Sequence, residues 1–142
     1  MSGVVLSINI SKKADEPKRP IEKGVFEVGV GVLGDAHAGK PMQVSILSAE
    51  RTEELEAKTG EEFSPGSFAE NVTIRDFPLE TLKIGDRIVI GEVILEVVQL
   101  GKPKDVAHTY SYKGHSLLPK YGVFANIVKG GVASPGDEVK NL

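Results

Sequence analysis

The chain has 142 residues, 40% of them hydrophobic and 26% charged, a length and balance suited to one domain whose core needs no staples. It contains no cysteine, which excludes disulfides, thiolate zinc sites and a cysteine nucleophile, and removes the usual mark of a small secreted domain. The net charge is −3, no apolar run approaches the ~20 residues of a membrane span, and the N-terminal segment does not read as a signal peptide. A cytoplasmic protein without nucleic-acid or membrane partners is therefore expected.

Val4, Leu6, Ile8 and Ile10 alternate with Val5, Ser7 and Asn9, which predicts a half-buried strand with the first set on one face. The charged segment Lys12–Lys23, which holds Pro17 and Pro20, predicts an exposed loop or hairpin connection. Gly24–Val32 alternates again, with Val28, Val30 and Val32 on one face, and runs into Gly34-Asp35. After the short apolar run Val44–Leu47, Ser48 is placed to cap a helix over Ala49–Lys58 that Gly60 would end.

Phe63–Phe68, with Pro65 and Gly66, predicts a loop. Asn71–Arg75, Arg87–Ile90 and Val93–Leu100 are β-branched and alternating, with turns at Gly85-Asp86 and Gly91-Glu92 and a short helix near Pro78–Leu82. Gly101–Tyr121 shows no clear regular structure. Val123–Val128 and Glu138–Lys140 are the closing strands. Short strands with this turn punctuation predict a mainly β fold, a barrel or closed sheet with one or two short helices, as a single domain over residues 1–142.

Four segments can carry chemistry. In Gly31–Gly39, Asp35 and His37 are two apart, on one side of an extended chain; the pair either orients a ligand or metal, or Asp35 caps a turn and fixes the His37 ring. A metal would need a third ligand, Glu70 or another histidine, and none is assigned. Glu70 and Asn71 can hydrogen-bond a heterocycle's edge or their own loop's amides. Asp86 and Asp137, each after a glycine, read as turn builders. The segment Gly101–Tyr121 carries Lys102, Lys104, Lys113 and Lys120 against Asp105, with His108 and His115 besides. This basic stretch in an acidic chain is either a solvated, flexible loop or the place where an anionic ligand binds, with Lys102, Lys104 and His108 as an anion pocket and Lys120 and Tyr121 returning from its far end.

Neither a phosphate-binding GxxxxGK[ST] motif nor a Rossmann glycine pattern is present, and there is no GxSxG elbow. Five phenylalanines, three tyrosines and no tryptophan, without interleaved basic residues, do not make a base-stacking surface.

The order of four blocks resembles the MOSC family, the C-terminal domain of molybdenum-cofactor sulfurases. These are Gly34-Asp35-Ala36-His37-Ala38-Gly39 with Gln43–Leu47, Pro65–Asn71, Leu82–Gly91 running into Leu95–Gln99, and Gly122–Val128 followed by Gly130-Gly131 and Gly136-Asp137. The resemblance implies a compact β-barrel of the pyruvate-kinase barrel type. It also implies a role around molybdenum cofactor (molybdopterin) or molybdate, with Asp35, His37, Glu70, Asn71 and Asn126 orienting the ligand and the lysines neutralising it. It places the family's cysteine, which carries sulfur or binds the metal, at Lys104. A lysine ammonium neither holds a persulfide nor acts as a soft molybdenum ligand.

The expectation is thus a carrier or biosynthesis accessory module that serves a cofactor-biosynthesis or molybdoenzyme partner. Pyridoxal phosphate or flavin would belong to that partner. Two alternatives stay open: an interaction domain that has lost its ligand, and an enzyme with His37 or His108 as base and Lys104 as its electrostatic or nucleophilic element.

Overall fold

A computed structural model describes residues 2–101 and 110–142. Lys102, Lys104 and His108 lie outside the described residues. Among the described residues no helix is long and apolar enough to cross a membrane.

Seven strands close on themselves. The hairpin β7 (Arg87–Ile90) and β8 (Val93–Leu100) continues to β9 (Val123–Lys129), then β5 (Val44–Ser48), β6 (Val72–Arg75), β1 (Ser2–Ile10) and β11 (Glu138–Asn141), which returns to β7. Neighbours are antiparallel except β5 and β6, which are parallel and are joined through α1 (Ala49–Thr59). That exception follows from connectivity, because parallel neighbours need a crossover and a helix supplies it. Ser48 and Gly60 flank α1 as expected, with Gly60 left-handed at φ 75° and its N–H bonded to the Glu56 carbonyl. The short helix expected near Pro78–Leu82 is a 3-10 turn over Leu79–Thr81.

Two sequence-based faces are corrected. In β1 the register shifts between Val5 and Ser7 against β6, a bulge at Leu6. The extra residue flips the parity, so Val5 and Ile8 are buried and Leu6 is 40% exposed, contrary to the simple alternation. Gly24–Val32 is not one strand but a tight hairpin, β3 (Gly24–Glu27) and β4 (Gly31–Val32), so that Phe26 faces Val32 and Val28 sits exposed in the turn. β10 (Gly131–Ala133) joins β3 to make a small second sheet, whose Phe26, Val32 and Ala133 complete the barrel's core.

The charged segment Lys12–Lys23 also differs from expectation. It contributes β2 (Arg19–Ile21), paired to the end of β1, and Lys18 is buried. The long loop before Tyr121 ends in a short helix, α2 (Leu118–Tyr121).

All five residues of β5 are buried, because the strand is covered on both faces. Val44 and Ile46 point into the barrel, while Leu47 points out into a second apolar cluster with Phe63, Phe68, Leu117, Leu118 and Phe124. Phe63 packs on Phe68 at 5.1 Å between ring centroids and meets the Tyr112 ring edge-on at 6.2 Å.

Gly66 shows how tightly the loop before β6 is held. Its φ is +89°, the Lys18 N–H donates to its carbonyl at 2.8 Å, and the Lys18 carbonyl occupies the place a Cβ would take. Gly66→Ala is expected to lower unfolding free energy by about 1–3 kcal/mol from backbone strain alone, with the clash adding to it. Gly85→Ala, with φ +95° but open space around it, should lose less. Urea denaturation of both variants checks this.

Candidate functional site

Asp35 sits in a run of turns between β4 and β5 and is the hub of one end of the barrel. Its Oδ1 accepts from Lys18 Nζ at 2.7 Å and from the Ser11 N–H at 3.1 Å, and its Oδ2 accepts from the His37 N–H at 3.1 Å. Lys18 Nζ also donates to Ser11 Oγ at 3.2 Å. Both charged side chains are 1% exposed. Burial by itself would raise the Asp35 carboxyl, but the hydrogen bond and charge of Lys18, with the Ser11 amide and Asn71, more than offset it and hold it below 3.8. The carboxylate therefore caps the turn that carries His37. The His37 ring is 43% exposed, with Nδ1 3.9 Å from the same carboxylate.

Glu70 and Asn71 enter β6 after Ala69, a non-glycine residue at φ +69°. Asn71 is knitted into the strands: its Oδ1 accepts from the Ser45 N–H at 3.1 Å and Ser45 Oγ at 3.2 Å, and its Nδ2 donates to the Asn9 carbonyl at 3.2 Å. These bonds go to β5 and β1, not to the amides of its own loop as one sequence-based reading expects.

Glu70 is 1% exposed. Its Oε2 accepts from Thr73 Oγ1 at 2.8 Å, and its Oε1 has no hydrogen-bond partner among the described residues. Burial raises its carboxyl above 4.5, against the smaller opposing pull of neighbouring amides and the Thr73 hydroxyl. Asn9 closes the network by donating to the Glu70 carbonyl and to Thr73 Oγ1, both at 3.1 Å.

Beside this framework lies a small cleft of about 80 Å³, lined by His37, Met42, Ser45, Asn71, Tyr110 and Phe124 among others. The Tyr110 hydroxyl donates to the Ser67 carbonyl at 2.8 Å. Burial, then the charges of Tyr112, Glu70 and Glu16, push the phenol up to about 12, so it stays a neutral donor. A second cleft of about 270 Å³ opens across Pro119, which lines both, and is walled by Arg51, Gly101, Lys120 and Tyr121.

The expected site residues are thus distributed. His37 and Asn71 line the small cleft, Lys120 lines the large one, and Asp35 and Glu70 stand behind the small cleft as framework. Asn126 lines neither; its Oδ1 accepts from the Gln43 N–H at 3.4 Å while Gln43 Oε1 accepts from the Ile127 N–H at 3.3 Å, a reciprocal clasp between β9 and the start of β5. Among the described residues no group of three or more His, Asp or Glu side chains is placed to hold a metal. Sequence reading missed Lys18, Ser45, Tyr110 and Arg51. Ser45 lies in the Gln43–Leu47 block but without a role there, and the contacts that single out these four are to residues distant in sequence.

A closed seven-stranded barrel with one parallel pair, a helical crossover and a polar cleft beside a buried ion pair defines a class of small closed β-barrels. The MOSC domain family model matches residues 34–140, so the chain belongs to the MOSC family. Among solved structures it is similar to the YuaD protein of Bacillus subtilis, at 22% identity and TM-score 0.75, covering 98% of this chain and 94% of that one. It is also similar to YiiM of Geobacillus stearothermophilus (20% identity, TM-score 0.71, 99% and 75% covered) and YiiM of Escherichia coli (16%, 0.70, 100% and 70%). At these identities the likeness establishes the fold. Comparison with curated proteins gives no match.

Two carboxyls with opposite shifts make opposite contributions to stability. Asp35, lowered, adds stability that is present above 3.8 and is lost as pH falls through its folded value. Lys18→Met, which leaves Asp35 buried and uncompensated, is expected to cost about 3–5 kcal/mol at neutral pH and less in acid. Glu70, raised, binds its proton more tightly folded than unfolded, so stability falls as pH rises from 4.5 towards its folded value. Glu70→Gln should abolish that decline. Melting temperatures from pH 3 to 9, on the order of one scan per unit, separate the two effects.

Proposed function

We propose that the protein binds molybdenum cofactor, a pterin precursor of it, or molybdate. It would act as a carrier or accessory module for a cofactor-biosynthesis or molybdoenzyme partner in the cytoplasm, without cysteine-based sulfur transfer. The carrying observation is how the family's functional segment joins the barrel. The described residues on either side of Lys102–Thr109 are Gly101, on the wall of the large cleft, and Tyr110, on the wall of the small one. By the resemblance of its blocks, the family's cysteine position falls on Lys104, and the chain has no cysteine.

The donor chemistry fits the outer atoms of such a ligand. The cleft offers the His37 imidazole, which can meet oxo or phosphate oxygens, and the Tyr110 hydroxyl oxygen, whose proton goes to the Ser67 carbonyl and which can accept from a heterocycle's N–H edge. The fit does not extend to a thiolate bond to molybdenum. With about 80 Å³, against the ~300 Å³ or more of ordinary small-molecule pockets, the small cleft takes one polar end group and not a whole pterin. Bound there, the cofactor would supply its own redox and oxo-transfer chemistry. The chain's residues bind, orient and neutralise: Asp35 keeps the His37 turn in place, and Lys102 and Lys104 would contribute charge-assisted hydrogen bonds.

Purification from cells that make molybdenum cofactor, with bound molybdenum and oxidised pterin measured together, tests the reading. Co-purification of both is expected, Lys102→Ala with Lys104→Ala should lower occupancy, and the affinity of the unaltered protein should fall as salt rises. Pterin without molybdenum would favour the precursor. Neither, even after adding cofactor and molybdate in vitro, would overturn the binding function in favour of an interaction domain.

A further inference from the structure

We propose that the large cleft, between the first turn of α1 and the helix α2, is a subsite for a phosphate monoester. The inference deepens the functional reading: it rests on the protein taking an anionic small molecule and adds where that molecule's phosphate end is held.

Two cations share one aromatic ring. Arg51 Cζ lies 4.3 Å from the Tyr121 ring centroid and Lys120 Nζ lies 5.2 Å from it. Cation–π attraction positions each of them, and both line the cleft, so an anion there meets two positive charges. Lys120 has no carboxylate partner among the described residues, and the Arg51 contact with Glu54, 3.3 Å on an exposed helix face, is of the weak i,i+3 kind. An arginine fork beside a lysine point charge suits a phosphate's several oxygens.

Ser48 supplies the second observation. It lines the cleft at the N-cap of α1 and is 9% exposed, yet its side chain makes no capping bond and has no hydrogen-bond partner among the described residues. A serine in this position normally accepts from a first-turn amide. Here a nine-tenths-buried serine with an unpartnered hydroxyl lines the same cleft as the two cations, at the end of α1 where the first N–H groups lack intrahelical partners. A lone helix end would bind anions only weakly; the idle hydroxyl and the clamped cations make this one a built site.

The rest of the cleft describes the ligand's other end. Leu79, Leu82 and Leu100 form an apolar wall, and Glu80 places a carboxylate on the same lining. At about 270 Å³ the space fits a phosphate carried on a flat or apolar body, close to the lower end of usual ligand pockets. Glu80 disfavours further negative charge away from the Arg51–Lys120 clamp.

The test titrates the full chain with inorganic phosphate and with phenyl phosphate, followed by amide chemical shifts. Saturable shifts confined to Ser48–Thr52 and Lys120–Gly122 are expected, tighter for phenyl phosphate. Arg51→Gln with Lys120→Gln should weaken binding about tenfold or more. Ser48→Ala should weaken it several-fold while leaving the melting temperature unchanged, because its hydroxyl caps nothing; a purely structural serine would do the reverse. Absence of saturation, shifts scattered over the surface lysines, or equal affinity in the double variant would overturn the subsite. The two readings fail separately. Phosphate binding without co-purified molybdenum or pterin would sink the cofactor reading alone, whereas cofactor retained in full by the double variant would sink the subsite alone.

Discussion

The Lys18–Asp35 ion pair is the contact on which the functional end of the barrel depends. Lys18 bonds in two directions: its ammonium to the Asp35 carboxylate, and its backbone N–H to the Gly66 carbonyl. One residue thereby ties the turns that carry His37 to the loop that delivers Ala69, Glu70 and Asn71. A buried pair of this kind adds little net stability over an apolar substitute, but losing one partner is costly. Its effect is therefore to specify an arrangement: the His37 turn cannot drift without uncovering a charge.

The same buried region treats two carboxyls in opposite ways. Asp35 has an ammonium and two amides to answer its charge, and it stays ionised at lower pH than an ordinary aspartate. Glu70, in the adjoining network of Ser7, Asn9 and Thr73, has one hydroxyl donor for two oxygens and is pushed towards its neutral form. For Asp35 the ammonium of Lys18 outweighs burial, whereas Glu70 is the more deeply buried of the two and burial outweighs its neighbouring donors. Beside the cleft this puts a fixed negative charge under His37, while burial above all keeps the Tyr110 phenol a neutral hydrogen-bond donor.

The clefts arise from a second core. Because β5 is buried on both faces, the outer side of the barrel must be covered, and Phe63, Phe68, Leu117 and Leu118 cover it. The small cleft opens where that cover meets the polar edge at Ser45 and Asn71. The large one opens where α2 leaves a gap against α1. Pro119 stands between them, so the placement of α2 shapes both.

Much of the framework was legible in local sequence. Arg87–Ile90 and Val93–Leu100 pair as β-branched runs around a Gly91 turn, and Ala49–Thr59 is helical up to a left-handed Gly60, because nearest-neighbour sterics and the glycine C-cap decide such elements. The absence of cysteine settled, from the sequence alone, that no thiolate chemistry is available, and the ordered blocks pointed to the MOSC family that the matched residues 34–140 establish. The bulge at Leu6, the burial of Lys18, the use of Asn71 as a strand clip and the meeting of Arg51 with Tyr121 were settled only by tertiary structure. Each joins residues far apart in the chain, and its free energy comes from desolvation and partners that exist only after the barrel closes. A lysine in a charged segment and a serine before a helix look the same in sequence whether water or protein surrounds them; closure of the fold decides which.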